Sequence, residues 1–249
     1  MRTIIVGDIH GCFRELKELL KKMEFREAKD RLISLGDLMD RGKQSYEVFD
    51  FFRRRKLKMG DRCILVRGNH EQMLLSCIED KEALPLWYEN GGRETIKSFK
   101  GHGDRVKPHK GWFEKNTQFY VEEGNFRCVH AGLVSENLEE NDRETFLWDR
   151  MALMSNHYQG KLAIVGHTPL HDPVYMDGRG GEAILLDYRV KKRMPRTGII
   201  CIDTGCVFKG KLTAMAIEGD GFYLESVACE EGPAGFWQGI FTGKGKGTE

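Results

Sequence analysis

The sequence predicts an α/β fold built on two sheets, the first mostly parallel and the second more antiparallel. Three observations predict it. Residues 3–78 alternate short apolar runs with stretches of helical periodicity, the pattern of parallel strands joined by helical crossovers. Beyond residue 119 the runs become β-rich and are separated by turn signals. Five apolar runs also lead into glycine-bearing turns that carry oxygen or imidazole side chains.

Thr3–Val6 reads as a buried strand ending in Gly7-Asp8-Ile9-His10-Gly11. Phe13, Leu16, Leu19, Leu20 and Met23 then fall at helical spacing. Arg31–Leu35 is a second strand, leading into Gly36-Asp37-Leu38-Met39-Asp40-Arg41-Gly42, where glycines at both ends permit a sharp turn. Lys43 to about Lys56 reads as a helix with Val48, Phe49 and Phe52 inward and Arg53-Arg54-Arg55-Lys56 as its solvated last turn. A third strand, 62–66, passes through Gly68-Asn69-His70-Glu71 into a helix carrying Met73, Leu74, Leu75 and Ile78.

Residues 80–118 break this rhythm with Pro85, Asn90-Gly91-Gly92, Gly101, Gly103 and Pro108. They read as a helical or looped insertion. It is either a lid or a small cap whose Trp87, Tyr88, Phe99, Trp112 and Phe113 form a satellite cluster. Phe119–Glu122 and Phe126–His130 flank Glu123-Gly124-Asn125 as a hairpin. Further strands are expected at 161–165, 183–187 and 198–203, and as a hairpin over 211–227. Tyr188–Arg196 holds five basic residues and reads as an exposed connection or a substrate-facing loop. Residues 1–227 are expected to form a single domain, and 228–249 a tail. Gly243–Glu249 should be disordered, with Phe236, Trp237, Ile240 and Phe241 docking on the body or on a partner.

The 40% apolar and 31% charged content is that of a soluble globule, and a net charge of +1 carries no nucleic-acid or membrane signature. No nucleic-acid or membrane partner is therefore expected. A strand begins within two residues of Met1, which leaves no room for a signal peptide. No apolar run reaches the about 18–20 residues of a membrane span. The seven cysteines are scattered and form no C-x-x-C pair, so they read as packing residues of a reduced, cytoplasmic protein.

The candidate metal ligands are Asp8, His10, Asp37, Asn69, His130 and His167. All are oxygen or imidazole donors and none is a thiolate. That suits Mn2+ first, with Fe, Zn, Co or Ni as alternatives, over a structural zinc cage. Six ligands exceed the need of one ion with an open position. They fit two divalent ions if Asp37 bridges, and such a pair can activate a hydroxide for in-line attack on phosphorus. His70, next to a ligand but projecting elsewhere, is placed to protonate a leaving oxygen, with Asp40 orienting its ring. Arg41 offers a planar fork to phosphate oxygens, and Arg150 is the candidate second arginine. No G-x-S-x-G elbow or P-loop is present.

Gly7-Asp8-Ile9-His10-Gly11, Gly36-Asp37-x-x-Asp40-Arg41-Gly42 and Gly68-Asn69-His70-Glu71 resemble, in order and spacing, the signature blocks of the phosphoprotein phosphatase family of metallophosphoesterases. Asn90-Gly91-Gly92, Gly166-His167-Thr168-Pro169 and Ile202-Asp203-Thr204-Gly205 resemble its bacterial branch, which holds phage-type protein phosphatases and bis(5′-nucleosyl)-tetraphosphatases. The resemblance implies a calcineurin-like αββα sandwich of two mixed sheets flanked by helices. It also implies Asp8 and His10 on one ion, Asp37 bridging, and Asn69, His130 and His167 on the other. His70 would be the general acid with Asp40 behind it, and Arg41, Arg150 and Asn69 would meet phosphate. Asp203 reads as a contact behind the ligands or as a turn former, and lies outside the expected site. The expected activity is phosphoester hydrolysis. A phosphoserine/threonine protein is the first substrate, a dinucleoside tetraphosphate the alternative, and small phosphoesters a third. A non-catalytic metal-site platform is the rival from another class. Substrate choice is expected to lie in 80–118 and 188–196.

Overall fold

Strands that are apolar on both faces must be covered on both, and that requirement sets the layers. The computed structural model describes residues 1–230. In β1 (Thr3–Val6), Ile4 and Val6 face a core shared with helices, while Ile5 faces a second core. The helices of the first core are α1 (Phe13–Lys22), which supplies Leu16 and Leu19, and, beyond β2 (Arg31–Ser34), α2 (Ser45–Met59), which supplies Phe49 and Phe52. In β3 (Cys63–Val66) the split repeats, with Cys63 and Leu65 toward the helices and Ile64 and Val66 away from them. α3 (Asn69–Glu79) follows.

Then come α4 (Leu84–Trp87), α5 (Arg93–Gly101), α6 (Lys110–Asn116), β4 (Thr117–Gln118), β5 (Tyr120–Glu122) and β6 (Arg127–Val129). α7 (Arg143–Trp148), α8 (Met151–Ser155), β7 (Ala163–Val165), β8 (Val174–Met176), β9 (Ile184–Leu185), β10 (Lys192–Arg193) and β11 (Ile199–Cys201) precede a final hairpin, β12 (Lys211–Glu218) and β13 (Gly221–Ala228). One sheet has the order β10-β13-β12-β1-β2-β3-β4 and the other β5-β6-β7-β11-β8-β9. Ile164 and Ile200 of the second sheet meet Ile5 and Ile64 of the first in the middle core. Ala163, Val165, Ile199 and Cys201 face an outer core with Phe146 of α7 and Leu153 of α8. The layers are helix, sheet, sheet, helix, and both sheets are mixed.

Several expectations need correction. The hairpin at 211–227 completes the first sheet, antiparallel to β1 with Thr3 opposite Ile217. It belongs there because Leu212, Ala214 and Ala216 face the helices while Met215 and Ile217 face the middle core. The short strands β4, β8 and β10 lie outside the expected set, since two or three residues carry no readable alternation. α2 runs on to Met59, so its basic run lies within the helix, where Arg53 and Arg54 pair with Asp50 at 2.6 and 2.7 Å. The 80–118 segment forms no satellite cluster: Trp87, Phe99 and Phe113 join the main helix-side core. Its glycines are absorbed by a turn at Tyr88–Gly92, where Gly91 takes φ 100° between α4 and α5. The expectations for Phe236, Trp237, Ile240, Phe241 and Gly243–Glu249 fall outside the described residues. No described helix is long and apolar enough to cross a membrane.

At the edge away from the loops, one buried carboxylate ties β1 to β2. Asp30 accepts from Arg2 Nη2 at 2.6 Å, and from Arg26 N and Nη2 at 2.7 and 3.2 Å. Burial alone would raise its pKa, but these hydrogen bonds outweigh burial and hold it below the usual carboxylate range. A depressed folded-state pKa gives stability that is present above the unfolded value and lost as pH falls through the folded one. Asp30→Asn should therefore cost about 2–3 kcal/mol at pH 7. The gap from wild type should close as pH drops below about 4 in urea unfolding curves.

Candidate active site

Three parallel strands in each sheet end at a common edge. β1, β2 and β3 run parallel in one sheet, and β6, β7 and β11 in the other. Parallel strands deliver the residues after them to the same edge. Asp8 follows β1, Asp37 follows β2, Asn69 and His70 follow β3, His130 follows β6, His167 follows β7 and Asp203 follows β11.

The loops hold backbone conformations that side-chain-bearing residues seldom adopt. His10 (φ 44°), Asp37 (49°), Asp40 (70°), Arg41 (68°) and His167 (62°) are all left-handed. Hydrogen bonds over-determine them. The Asp37 carbonyl accepts from Ile9 and His10 N–H at 3.2 and 2.8 Å, zipping the first two loops together. Glu71, in the first turn of α3, accepts from the N–H groups of Gly68, Asp37 and Leu38 at 2.9, 2.9 and 2.8 Å. A Cβ at Gly68 would overlap the Asp37 carboxylate, and one at Gly166 would overlap that of Asp8.

The ring nitrogens sort by their partners. His10 Nδ1–H donates to the Met39 carbonyl at 2.9 Å, and His130 Nδ1–H to the Leu35 carbonyl at 2.8 Å. Their Nε2 lone pairs are thereby aimed at Asp37 Oδ2, at 3.4 and 3.5 Å. His130 Nε2 also faces Asn69 Oδ1 at 2.9 Å, and His167 Nδ1 lies 3.1 Å from the same oxygen. His70 Nδ1–H donates to Asp40 Oδ2 at 2.8 Å. Asp40 also accepts from Trp87 Nε1–H at 2.9 Å and Thr95 Oγ1–H at 2.5 Å.

Burial pushes the His10, His130 and His167 pKa values below normal, so these rings are neutral at pH 7, as metal ligands must be. Burial would raise Asp37, but His130, His70, His10 and Arg41 together hold it far below the usual range. Burial, then Asp203 and Asp37, drive Asp8 up, and burial pushes Asp203 to about 6. Three buried carboxylates therefore face a cavity of about 100 Å³ in which Arg41 and Arg150 are the cationic lining.

This constellation fits divalent cations. His130 Nε2 and Asn69 Oδ1 are two acceptors in contact, an arrangement that a cation between them relieves. Asp8 Oδ1 and His70 Nε2 are buried with no hydrogen-bond partner. Ligand atoms of His10, Asp37 and His70, and of Asp37, His130 and His167, form two groups within 4.8 Å, with Asp37 common to both. Asp8 lines the same cavity outside those tight groups.

Comparison with known proteins agrees with the geometry. The calcineurin-like phosphoesterase profile matches residues 1–198. The chain belongs to the calcineurin-like phosphoesterase family. Members of that family use divalent metal ions, as the site's chemistry requires. This phosphoesterase is 34% identical to the symmetrical bis(5′-nucleosyl)-tetraphosphatase of Nitrosospira multiformis, over 88% of this chain and 93% of that one. It is 28% identical to serine/threonine-protein phosphatase 1 of Salmonella typhimurium, over 86% and 91%. A metallophosphoesterase structure from Sphaerobacter thermophilus superposes with TM-score 0.63 at 18% identity, covering 91% of this chain and 88% of that one. A serine/threonine phosphatase structure from Saccharomyces cerevisiae gives 0.63 at 14%, covering 94% and 81%. These two structures share the fold.

All the expected site residues of the phosphoesterase gather at this edge. Arg41 Nη1 donates to His10 Nε2 at 2.6 Å, and its guanidinium lies over the Phe208 ring at 5.2 Å. Arg150 and Trp148 line the cavity. Three expectations are corrected. Asp203 lies in the cavity, although its Asp-Thr-Gly context reads as a turn. Within the basic loop 188–196, Lys192 and Arg193 sit at the opposite edge, because Lys192 pairs with Phe222, Phe222 with Ile217, and Ile217 with Thr3 at the start of β1, while Arg189 is tied to Glu225 on β13. Residues 80–118, expected to set substrate choice, put their tryptophans into packing instead: Trp87 is buried against Asp40 and Trp112 packs on Phe49 at 5.0 Å. Glu71 is the residue whose weight the sequence reading missed; its three-residue spacing from Gly68 is a capping-box signal. Glu71→Gln sets an NH2 against one of three backbone donors. It should cost about 1–3 kcal/mol in denaturant unfolding and weaken divalent-ion binding in calorimetry.

Proposed function

We propose that this phosphoesterase hydrolyses phosphate monoesters on serine or threonine side chains of proteins, with two divalent ions, Mn2+ first. Asp8 and His10 would hold one ion, Asn69, His130 and His167 the other, and Asp37 both. Ions so held neutralise phosphoryl charge and lower the pKa of the attacking water. We treat residues 1–227 as one catalytic domain working in a reducing, cytoplasmic setting, where its thiols stay unoxidised.

The observation that carries this reading is the buried His70–Asp40 pair beside the acceptor cage. His70 Nε2 is 3.9 Å from Asp37 Oδ2 and has no hydrogen-bond partner; with Nδ1–H held by Asp40, the protonated ring would have its Nε2 proton free for a leaving oxygen. Asp40, fixed by Trp87 and Thr95, holds the opposite ring nitrogen and stabilises the ring when it carries charge. The Arg150 guanidinium has no hydrogen bond or ion pair among the described residues, and neighbouring Asp149 is occupied with the N–H groups of Met151 and Ala152. It and Arg41 grip the phosphate oxygens, and the Asn69 amide nitrogen is left for a third. For His10 Nε2 to hold an ion, Arg41 Nη1, now 2.6 Å away, would have to let go of it.

A well-supported acid matters most when the leaving group is a poor one, such as a serine alkoxide, and this favours the phosphoprotein. Lys192 and Arg193 at the far edge, and Trp87 and Trp112 committed to packing, withdraw two of the features that would suit a nucleobase. A dinucleoside polyphosphate is the second reading. It is favoured by the tetraphosphatase relative and by a cavity of about 880 Å³ that starts at Arg41 and is lined by Arg14, Lys17, Lys43 and Lys97.

His70→Asn should slow turnover of a phosphoserine peptide by roughly 10²–10⁴-fold with fold and metal content intact. For p-nitrophenyl phosphate the loss should shrink, and an equal loss on both substrates removes His70 from the acid's role. In one Mn2+ buffer, kcat/KM should be higher for the phosphoserine peptide than for diadenosine tetraphosphate. A preference for the dinucleotide above about 100-fold, or about 2.7 kcal/mol, contradicts the first reading.

A further inference from the structure

Three thiols from distant parts of the chain meet behind the catalytic loops. Cys12 precedes α1, Cys206 follows the Asp203 turn and Cys229 follows β13, and their Sγ atoms lie within 4.8 Å of one another. All three are buried. Glu15, also buried and in the first turn of α1, lies beside Cys229 but outside the tight group of three sulfurs. The positions 12, 206 and 229 share no sequence spacing, so only the fold reveals the group.

The donor set differs in kind from the oxygen and imidazole cage. Three sulfurs and a carboxylate match a soft or borderline d¹⁰ cation with tetrahedral preference. The start of α1 favours negative charge on Cys12 and Glu15. Cys12, Glu15 and Cys229 line the open 880 Å³ cavity, which provides an entry path. Arg14, Lys17, Lys43 and Lys97 on the same cavity offset the charge that thiolates would bring.

We propose that Cys12, Cys206 and Cys229 form a structural Zn2+ site separate from the dinuclear cage, with the Glu15 side chain turning in from beside Cys229 as the fourth donor. On binding, each thiol gives its proton to solvent as its sulfur takes the metal, and no electron is transferred. The ion fastens the segment after His10, the segment after Asp203 and the end of β13 to one point. It thereby braces two of the loops that face the active site. A disulfide switch is the weaker reading. One bridge would use two of the three sulfurs and leave the third buried thiol without a role.

The test is titration of the reduced, metal-stripped, full-length protein with Cd2+. The phosphoesterase cage contains no sulfur, so thiolate-to-metal charge transfer in the ultraviolet reports this site alone. The band should saturate at one equivalent for the site, persist in Asp37→Asn, and vanish in Cys206→Ser and Cys229→Ser. Glu15→Gln should weaken the binding by at least about tenfold. Zn2+ should raise the melting temperature of Asp37→Asn. Should a serine variant fail to fold, the ¹¹³Cd resonance of the wild type decides, since sulfur ligation places it far from oxygen and nitrogen ligation. Absence of the charge-transfer band in the wild type overturns the proposal. So does its survival in folded Cys206→Ser, or a Cys12–Cys206 disulfide formed with peroxide in a protein that gives no Cd2+ band.

Discussion

The carboxylate of Asp37 lies where strand ends from both sheets meet, buried to 2% exposure. Burial of a carboxylate is costly unless positive charge or strong donors meet it. Here the compensation within the protein is thin: Arg41 lies nearby, and the His70 backbone N–H donates to its Oδ1 at 3.1 Å. Oδ2 faces three ring nitrogens, two of which, on His10 and His130, present lone pairs fixed by their own hydrogen bonds. That surplus of acceptors is tolerable only as a cradle for cations. Asp37 is the only side chain shared by both ligand groups around the cavity, so the two halves of the sandwich are coupled through it.

The rest of the site is organised to hold that carboxylate still. Its backbone is left-handed, its carbonyl zips the first loop to the second, and its N–H is gripped by Glu71. Glu71 reaches across from α3, so the third loop cannot move without moving the second. The same loop turns Asp40 into reach of His70, Trp87 and Thr95. The 80–118 segment thus acts as a buttress: its buried residues support the His70–Asp40 pair from behind, and only Asn90 of the segment lines the cavity. The strain of five left-handed residues is sustained because each loop is bonded to another.

Much of this was legible in the sequence. Apolar runs that end in glycine and ligand-type residues mark the strand ends, because a strand buried on both faces reads as continuous apolar sequence and its turn needs glycine. Asp8, His10, Asp37, Asn69, His70, His130 and His167 were all found that way. Asp203 carries the same signal but was discounted, since Asp-Thr-Gly also makes ordinary turns and nothing local separates the two. Trp87 and Thr95 were unreadable as site residues, because their roles arise only when α4 and α5 pack behind Asp40. The basic loop misled for the opposite reason. Charge shows in sequence, but the edge of the sheet it occupies depends on the register of β13 against β12 and β1. The thiol cluster was hidden because its members are separated by as much as the length of the fold.

The central claim is that one buried carboxylate serves two ions and so couples the whole site. Metal analysis of purified Asp37→Asn, with turnover measured alongside in saturating Mn2+, tests it most directly. The account predicts that both cage ions are lost together and that turnover falls by at least about 100-fold, or 2.7 kcal/mol. Two tightly held cage ions with near-wild-type turnover would contradict it.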